Sequence, residues 1–98
     1  MIVINVLEGC PYCNNSLNVL DNFNIKYKKT VVEQNEKNKF KKKYNMDTFP
    51  QVLLELNNKH LVLGGNQDLM NSINLIQQLN KTNISNEAFY LLLKELRN

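Results

Sequence analysis

The apolar positions along the chain change period several times, and each change marks an element. Residues Ile2 to Leu7 form a nearly continuous run of β-branched and aliphatic side chains that stops at Glu8-Gly9, as a short buried strand does. A helix is predicted to follow from Pro11, because a proline in the first turn sacrifices no helical hydrogen bond, and Leu17, Leu20 and Phe23 recur at helical spacing. Asn22 and Asn24 mark its exit. A second strand is predicted over Ile25 to Val32, whose start alternates apolar and polar. After Glu33 the pattern turns helical through about Tyr44, with Phe40 and Tyr44 on one face.

The stretch FPQVLLELNNKHLVLGG reads as two strands, Gln51 to Leu56 and Lys59 to Leu63, joined by Asn57-Asn58, since asparagine tolerates the positive φ of a tight hairpin turn. Gly64-Gly65 end the second strand, and NQDLMNSINLIQQL supplies a helix with Leu69, Ile73 and Ile76 on one stripe. A last helix is predicted within residues 84–97, with Ser85 as N-cap and Ile84 and Phe89 as a hydrophobic staple. Its stripe of Phe89, Leu92, Leu93 and Leu96 is expected to dock on the body as a structural cap. The order is a βαβ unit, then a ββα unit, then one more helix, which predicts an α/β protein with a mixed four-stranded sheet flanked by helices. At 98 residues and 43% hydrophobic, the chain suits a single domain, 1–98, with its core in 1–80.

Charge alters this picture little. The net charge of +3 is concentrated in EKNKFKKKYN, Glu36 to Asn45, and lysines on a helix of mixed polarity read as a solvated face. With a single arginine, Arg97, and no aromatics interleaved along a basic patch, no nucleic-acid partner is expected. No stretch approaches the roughly 18 apolar residues of a membrane span, and MIVINVLEGC lacks the features of a secretory signal. A cytoplasmic protein is expected, where a structural disulfide would not persist.

The two cysteines of the chain, Cys10 and Cys13, lie in EGCPYCN, where the first strand gives way to the first helix. If Pro11 opens that helix, Cys10 stands at or near its N-cap, where free backbone N–H groups and the positive end of the helix dipole favour a thiolate. The thiolate is the attacking species in disulfide exchange. Cys13, one turn further in, is shielded yet close enough to attack a mixed disulfide formed on Cys10. A tetrahedral zinc site needs four ligands, and beyond the two sulfurs the chain offers His60 as its one histidine. A structural disulfide closing so small a loop would remove little chain entropy. The pair therefore points to redox exchange, with no metal expected.

Three separated motifs carry a resemblance. CPYC at Cys10 to Cys13, TFPQV at Thr48 to Val52 and GGNQDL at Gly64 to Leu69 occur in that order. Taken singly, each has a plainer reading: an ordinary strand entry with a trans proline, a glycine turn, and Asp68 as a helix-capping carboxylate, with Tyr12 a packing residue. Together they resemble the glutaredoxins of the dithiol class over residues 1 to 80, where the second motif looks like the family's Thr-Val-Pro and the third like its Gly-Gly-Cys-Asp-Asp-Leu. The resemblance implies a thioredoxin fold and a monomeric, glutathione-dependent oxidoreductase that reduces protein disulfides and glutathione mixed disulfides. Cys10 would be the nucleophile and Cys13 the resolving thiol. Tyr12, Thr48, Phe49, Pro50, Gly65, Gln67 and Asp68 would bind glutathione. Phe49 would offer its backbone N–H and C=O to the cysteinyl part beside a cis Pro50, and Gln67 and Asp68 would hold the γ-glutamyl end. Disulfide-bearing proteins would be the clients, ribonucleotide reductase being a familiar one for the family.

The match departs from the family in four places. Leu7 occupies the position, three before the nucleophile, where members usually carry Lys or Arg, and its neighbour is the acidic Glu8. The lost cation disfavours the thiolate and predicts weaker glutathione binding, with Lys42 or Lys43 as candidate substitutes. Phe49 is bulkier than the usual valine and is expected to alter the groove wall; Asn66 replaces a common extra cysteine; and residues 81–98 continue past the usual core. Two other readings stay open. One is a thioredoxin-like electron donor to a dedicated client, favoured by Leu7. The other is an iron-sulfur binding module, against which Pro11 argues, since members that hold a cluster generally lack that proline.

Overall fold

The computed structural model describes residues 1–80, with the side chains of 1–75. The predicted C-terminal helix, 84–97, lies outside the described residues. Strand β1 (Ile2–Val6) leads to helix α1 (Pro11–Asn22), strand β2 (Tyr27–Val31), a 3-10 turn (Gln34–Glu36) and helix α2 (Lys37–Tyr44); strands β3 (Gln51–Leu56) and β4 (Lys59–Gly64) and helix α3 (Asn66–Asn80) follow. The sheet runs β2-β1-β3-β4. β1 is parallel to β2, with Ile2 opposite Tyr27, and antiparallel to β3, with Ile2 opposite Leu54 and Asn5 opposite Gln51. This is the predicted βαβ unit followed by ββα in a thioredoxin-type fold.

Side-chain alternation divides the two central strands between the faces of the sheet. Ile2, Ile4 and Val6 of β1 and Val52 and Leu54 of β3 share a cluster with Cys13 and Leu20 of α1 and Leu69 and Ile73 of α3. Val3, Asn5, Gln51 and Leu53 alternate with them and are buried as well. Each fully buried aliphatic side chain contributes about 2 kcal/mol, so this interior fixes the sheet on which the cysteine loop stands.

Several boundaries differ from the sequence reading for local reasons. β2 is shorter than Ile25 to Val32, because both of those end residues turn into the core, at 7% and 5% exposure, rather than continuing the strand. Asn24 takes a left-handed conformation, φ 55°, and Ile25 then donates its N–H to Leu20 O at 2.9 Å. That closure puts Ile25 in the place predicted for Phe23, which sits at the helix C-cap and is 40% exposed. The helix predicted after Glu33 is broken: the 3-10 turn comes first, and α2 begins only at Lys37. Asn57 and Asn58 both adopt positive φ, 50° and 65°, so the hairpin turn is made as predicted.

Candidate active site

β1 delivers the chain to the site through Glu8-Gly9, and Gly9 takes φ 73°, a conformation that favours glycine. Cys10 is the N-cap of α1, with extended backbone angles and Pro11 at the first helical position. Its sulfur accepts a hydrogen bond from the Cys13 N–H at 3.2 Å, so an amide of the first turn points at the more exposed of the two sulfurs, where it favours negative charge. No acidic residue stands in that first turn to oppose it. The Cys10 Sγ lies 3.9 Å from the carbonyl oxygen of Phe49, to which its S–H donates weakly. Cys10 is half-buried and Cys13 fully buried, and both are free thiols. Burial foremost, and then the hydrogen bond to Cys10, push the Cys13 thiol up to about 12. One sulfur thus faces outward on a helix N-terminus while its neighbour is held protonated one turn behind.

The bond between Phe49 and Pro50 is cis. Pro50 is buried and opens directly into β3, and Thr48 is exposed just before it. The Phe49 ring is 9% exposed and belongs to the core cluster. The extra bulk expected at the groove is therefore taken up largely by the core, and the Phe49 carbonyl borders the Cys10 sulfur.

β4 approaches from the other side through a register shift. Leu53 pairs with Val62 and Val52 with Gly64, so Leu63 is an extra residue that bends the end of the strand. Gly64 adopts φ 135°, and a Cβ placed there would run into the Asp68 carboxylate. A Cβ on Gly65 would stand 3.8 Å from Pro50 O, which brings the glycine pair alongside the cis proline. Asp68 Oδ2 accepts the Gly65 N–H at 2.9 Å, reaching back from the third helical position to cap α3. The capping role therefore holds for Asp68, whose side chain remains exposed. Gln67 is exposed too and donates to Asn71 Oδ1 at 2.9 Å. Tyr12 is 68% exposed beside Cys10, and so does not serve as a packing residue.

A family model for glutaredoxin matches residues 2–61. The chain belongs to the glutaredoxin family. One relative is Glutaredoxin 1 of Rickettsia prowazekii (strain Madrid E), 39% identical over 74 residues that span 71% of this chain and 74% of that protein. The solution structure of glutaredoxin from Brucella melitensis matches the fold with a TM-score of 0.62 at 18% identity, over 84% of this chain and 87% of that one. Glutaredoxins are thiol-disulfide oxidoreductases, and this chain is one. The matched family region takes in both cysteines and the cis proline and ends at Leu61, before Gly64.

Against that family background the departures acquire locations. Leu7 is half-buried and packs on the core, so an apolar contact stands at the family's usual cation position. Lys42 and Lys43 are both exposed near the end of α2. Lys43 Nζ lies 5.3 Å from the centroid of the Tyr44 ring, and that ring meets His60 of β4 edge-on at 6.3 Å. Among the described residues Lys42 pairs with no carboxylate, and no three His, Cys, Asp or Glu side chains gather as a metal site.

Two polar links were not foreseen. Asn5 Nδ2 donates to Gln51 Oε1 at 3.3 Å and Gln51 Nε2 to Phe40 O at 3.4 Å, tying β1, the residue after the cis proline and α2 together beneath the site. Asn66 binds Ser16 and Asn15 of α1. A signal existed in the first case, since a lone Asn in IVINV and a lone Gln in QVLL interrupt otherwise apolar strands, and buried amides need partners.

Proposed function

We propose that this glutaredoxin draws its electrons from glutathione, with Cys10 as nucleophile and Cys13 as resolving thiol. In a glutathione mixed disulfide, the Cys10 thiolate attacks the glutathione sulfur, forms a Cys10–glutathione disulfide and releases the client thiolate, which takes up a proton. A second glutathione thiolate attacks the glutathione sulfur of that intermediate, leaves as oxidised glutathione and restores Cys10. With a protein disulfide, Cys10 first bonds to the client; Cys13 then loses its proton and attacks Cys10, releasing the reduced client and leaving a Cys10–Cys13 disulfide for two glutathiones to reduce. The buried, protonated Cys13 supports this division, because a thiol pushed to about 12 is a poor first attacker and gains reactivity only when adjacent to the electrophilic Cys10 sulfur.

The single observation that carries the reading is the approach of Gly65 to Pro50, which brings the start of α3 to the residue after Phe49, whose carbonyl lies 3.9 Å from the Cys10 sulfur. A tripeptide with its sulfur on Cys10 would run along the Phe49 backbone and present its γ-glutamyl ammonium and carboxylate to Asp68, Gln67 and the Gly65 turn. Tyr12 and Thr48 would border it. Clients are disulfide-bearing proteins, with ribonucleotide reductase a candidate that the family suggests, and the reaction fits a reducing cytoplasm.

The test is reduction of a small glutathione mixed disulfide by purified protein with glutathione, glutathione reductase and NADPH. Turnover should vanish in Cys10→Ser and persist in Cys13→Ser, because both steps run through the Cys10 sulfur and neither uses Cys13. Leu7 favours a second reading, a thioredoxin-like donor served by another reductase. An inactive native protein whose Cys10–Cys13 disulfide is nevertheless reducible by a dithiol would put that reading first.

A further inference from the structure

Asn66 opens α3 and stands immediately before Gln67 and Asp68. Its Oδ1 accepts two hydrogen bonds from α1, one from Ser16 Oγ at 2.6 Å and one from Asn15 Nδ2 at 3.0 Å; the same Asn15 amide lies 3.7 Å from Met70 Sδ. Ser16 is fully buried, one helical turn beyond Cys13. A buried hydroxyl left without a partner loses its hydration with nothing in return, and the partner here belongs to the other helix. The remaining contacts between α1 and α3 include Leu20, Leu69 and Ile73, whose attraction is non-directional and tolerates sliding. The carboxamide does not: its two bonds are satisfied together at one placement of the α3 start against α1.

We propose that Asn66 is a positioning residue that fixes the reach from Cys10, at the head of α1, to Gln67 and Asp68, at the head of α3, and thereby confers the preference for disulfides that carry a γ-glutamyl group. The inference rests on the glutathione reading above. A purely structural clamp would lower stability and slow all substrates alike. A positioning clamp changes how the enzyme ranks substrates, because only a ligand that spans both helix heads senses their separation.

The experiment uses one peptide thiol joined either to glutathione or to 2-mercaptoethanol, and compares kcat/KM for the two mixed disulfides. The native protein should prefer the glutathione conjugate. Asn66→Leu, similar in size but without an acceptor, should cut that preference about tenfold, chiefly by raising KM for the glutathione conjugate, as expected when a directional bond pair is lost. Ser16→Ala should act in the same direction, and adding it to Asn66→Leu should have little further effect, since both remove one interaction. If Asn66→Leu fails to fold, the Asn15→Ala and Ser16→Ala pair replaces it. A preference left intact in the folded variants, or an equal slowing of both substrates, overturns the role of Asn66 while leaving the glutathione reading standing. A native protein indifferent to the two conjugates overturns the glutathione reading itself and the inference with it.

Discussion

The two flanks of the cysteine pair are built by different physics. On the α3 flank, a bend in β4, a glycine at φ 135°, a cap from Asp68 to Gly65 and the Asn66 bonds to α1 hold backbone and short side chains in place. On the α2 flank, the position before the cysteine loop is filled by half-buried Leu7, and the positive charge of α2 resides on long, exposed lysines at the end of that helix, where Tyr44 meets His60. One flank is fixed before any ligand arrives. The other must order flexible side chains as it binds, at a cost of up to about 2 kcal/mol of rotamer freedom for each lysine, and salt screens it. Specificity should therefore come from the α3 flank, and the α2 flank should tune affinity weakly.

The harshest way to break this contrast is Gly64→Ala. A side chain there must adopt φ 135° and displace the Asp68 carboxylate, which in turn frees the Gly65 N–H. The expected loss is about 2–3 kcal/mol of unfolding free energy in urea, with a marked rise in KM for the glutathione conjugate. A variant as stable as the native protein would mean that the α3 flank is softer than its hydrogen bonds suggest.

Asp68→Asn separates the cap from the charge. Asparagine keeps an oxygen able to accept the Gly65 N–H, so unfolding free energy should change by less than about 0.5 kcal/mol. The lost carboxylate should still raise KM for a γ-glutamyl substrate about fivefold, the scale of an exposed ion pair near 1 kcal/mol. A KM that does not move would confine Asp68 to its capping role.

How much of this was legible in the sequence follows from the same physics. Positions fixed by local chemistry read directly: Pro11 at the helix start, Asn57-Asn58 in the hairpin, the glycine pair at the end of β4. Elements whose limits depend on tertiary contacts did not. β2 lost Ile25 and Val32 because the core takes them in, and Phe23 lost its place in the helical stripe to Ile25 through one left-handed Asn24. A single sequence shows the α2 lysines as charge but holds nothing that orients them. A bulky residue beside a reactive sulfur suggests a wall, whereas Phe49 joins the core cluster with Val52 and Leu54, out of step with the alternation of β3, which begins only at Gln51. Asn66 was read as a missing cysteine, and its partners on α1 lie some fifty positions away.

The smallest effect should come from the α2 flank, and for that reason it discriminates best. Lys42→Gln with Lys43→Gln removes two exposed cations, one of them lying over Tyr44, and should weaken glutathione binding by no more than about twofold at low salt, with the difference gone near 0.5 M salt. Leu7→Lys makes the converse change. It sacrifices a core contact but supplies a cation on the strand side of the cysteine loop, and should tighten binding about threefold, again in a salt-dependent way. If the lysine pair proves stronger than Asp68, the two flanks have exchanged roles, and the charge at the end of α2 is positioned by the ligand more firmly than its exposure implies.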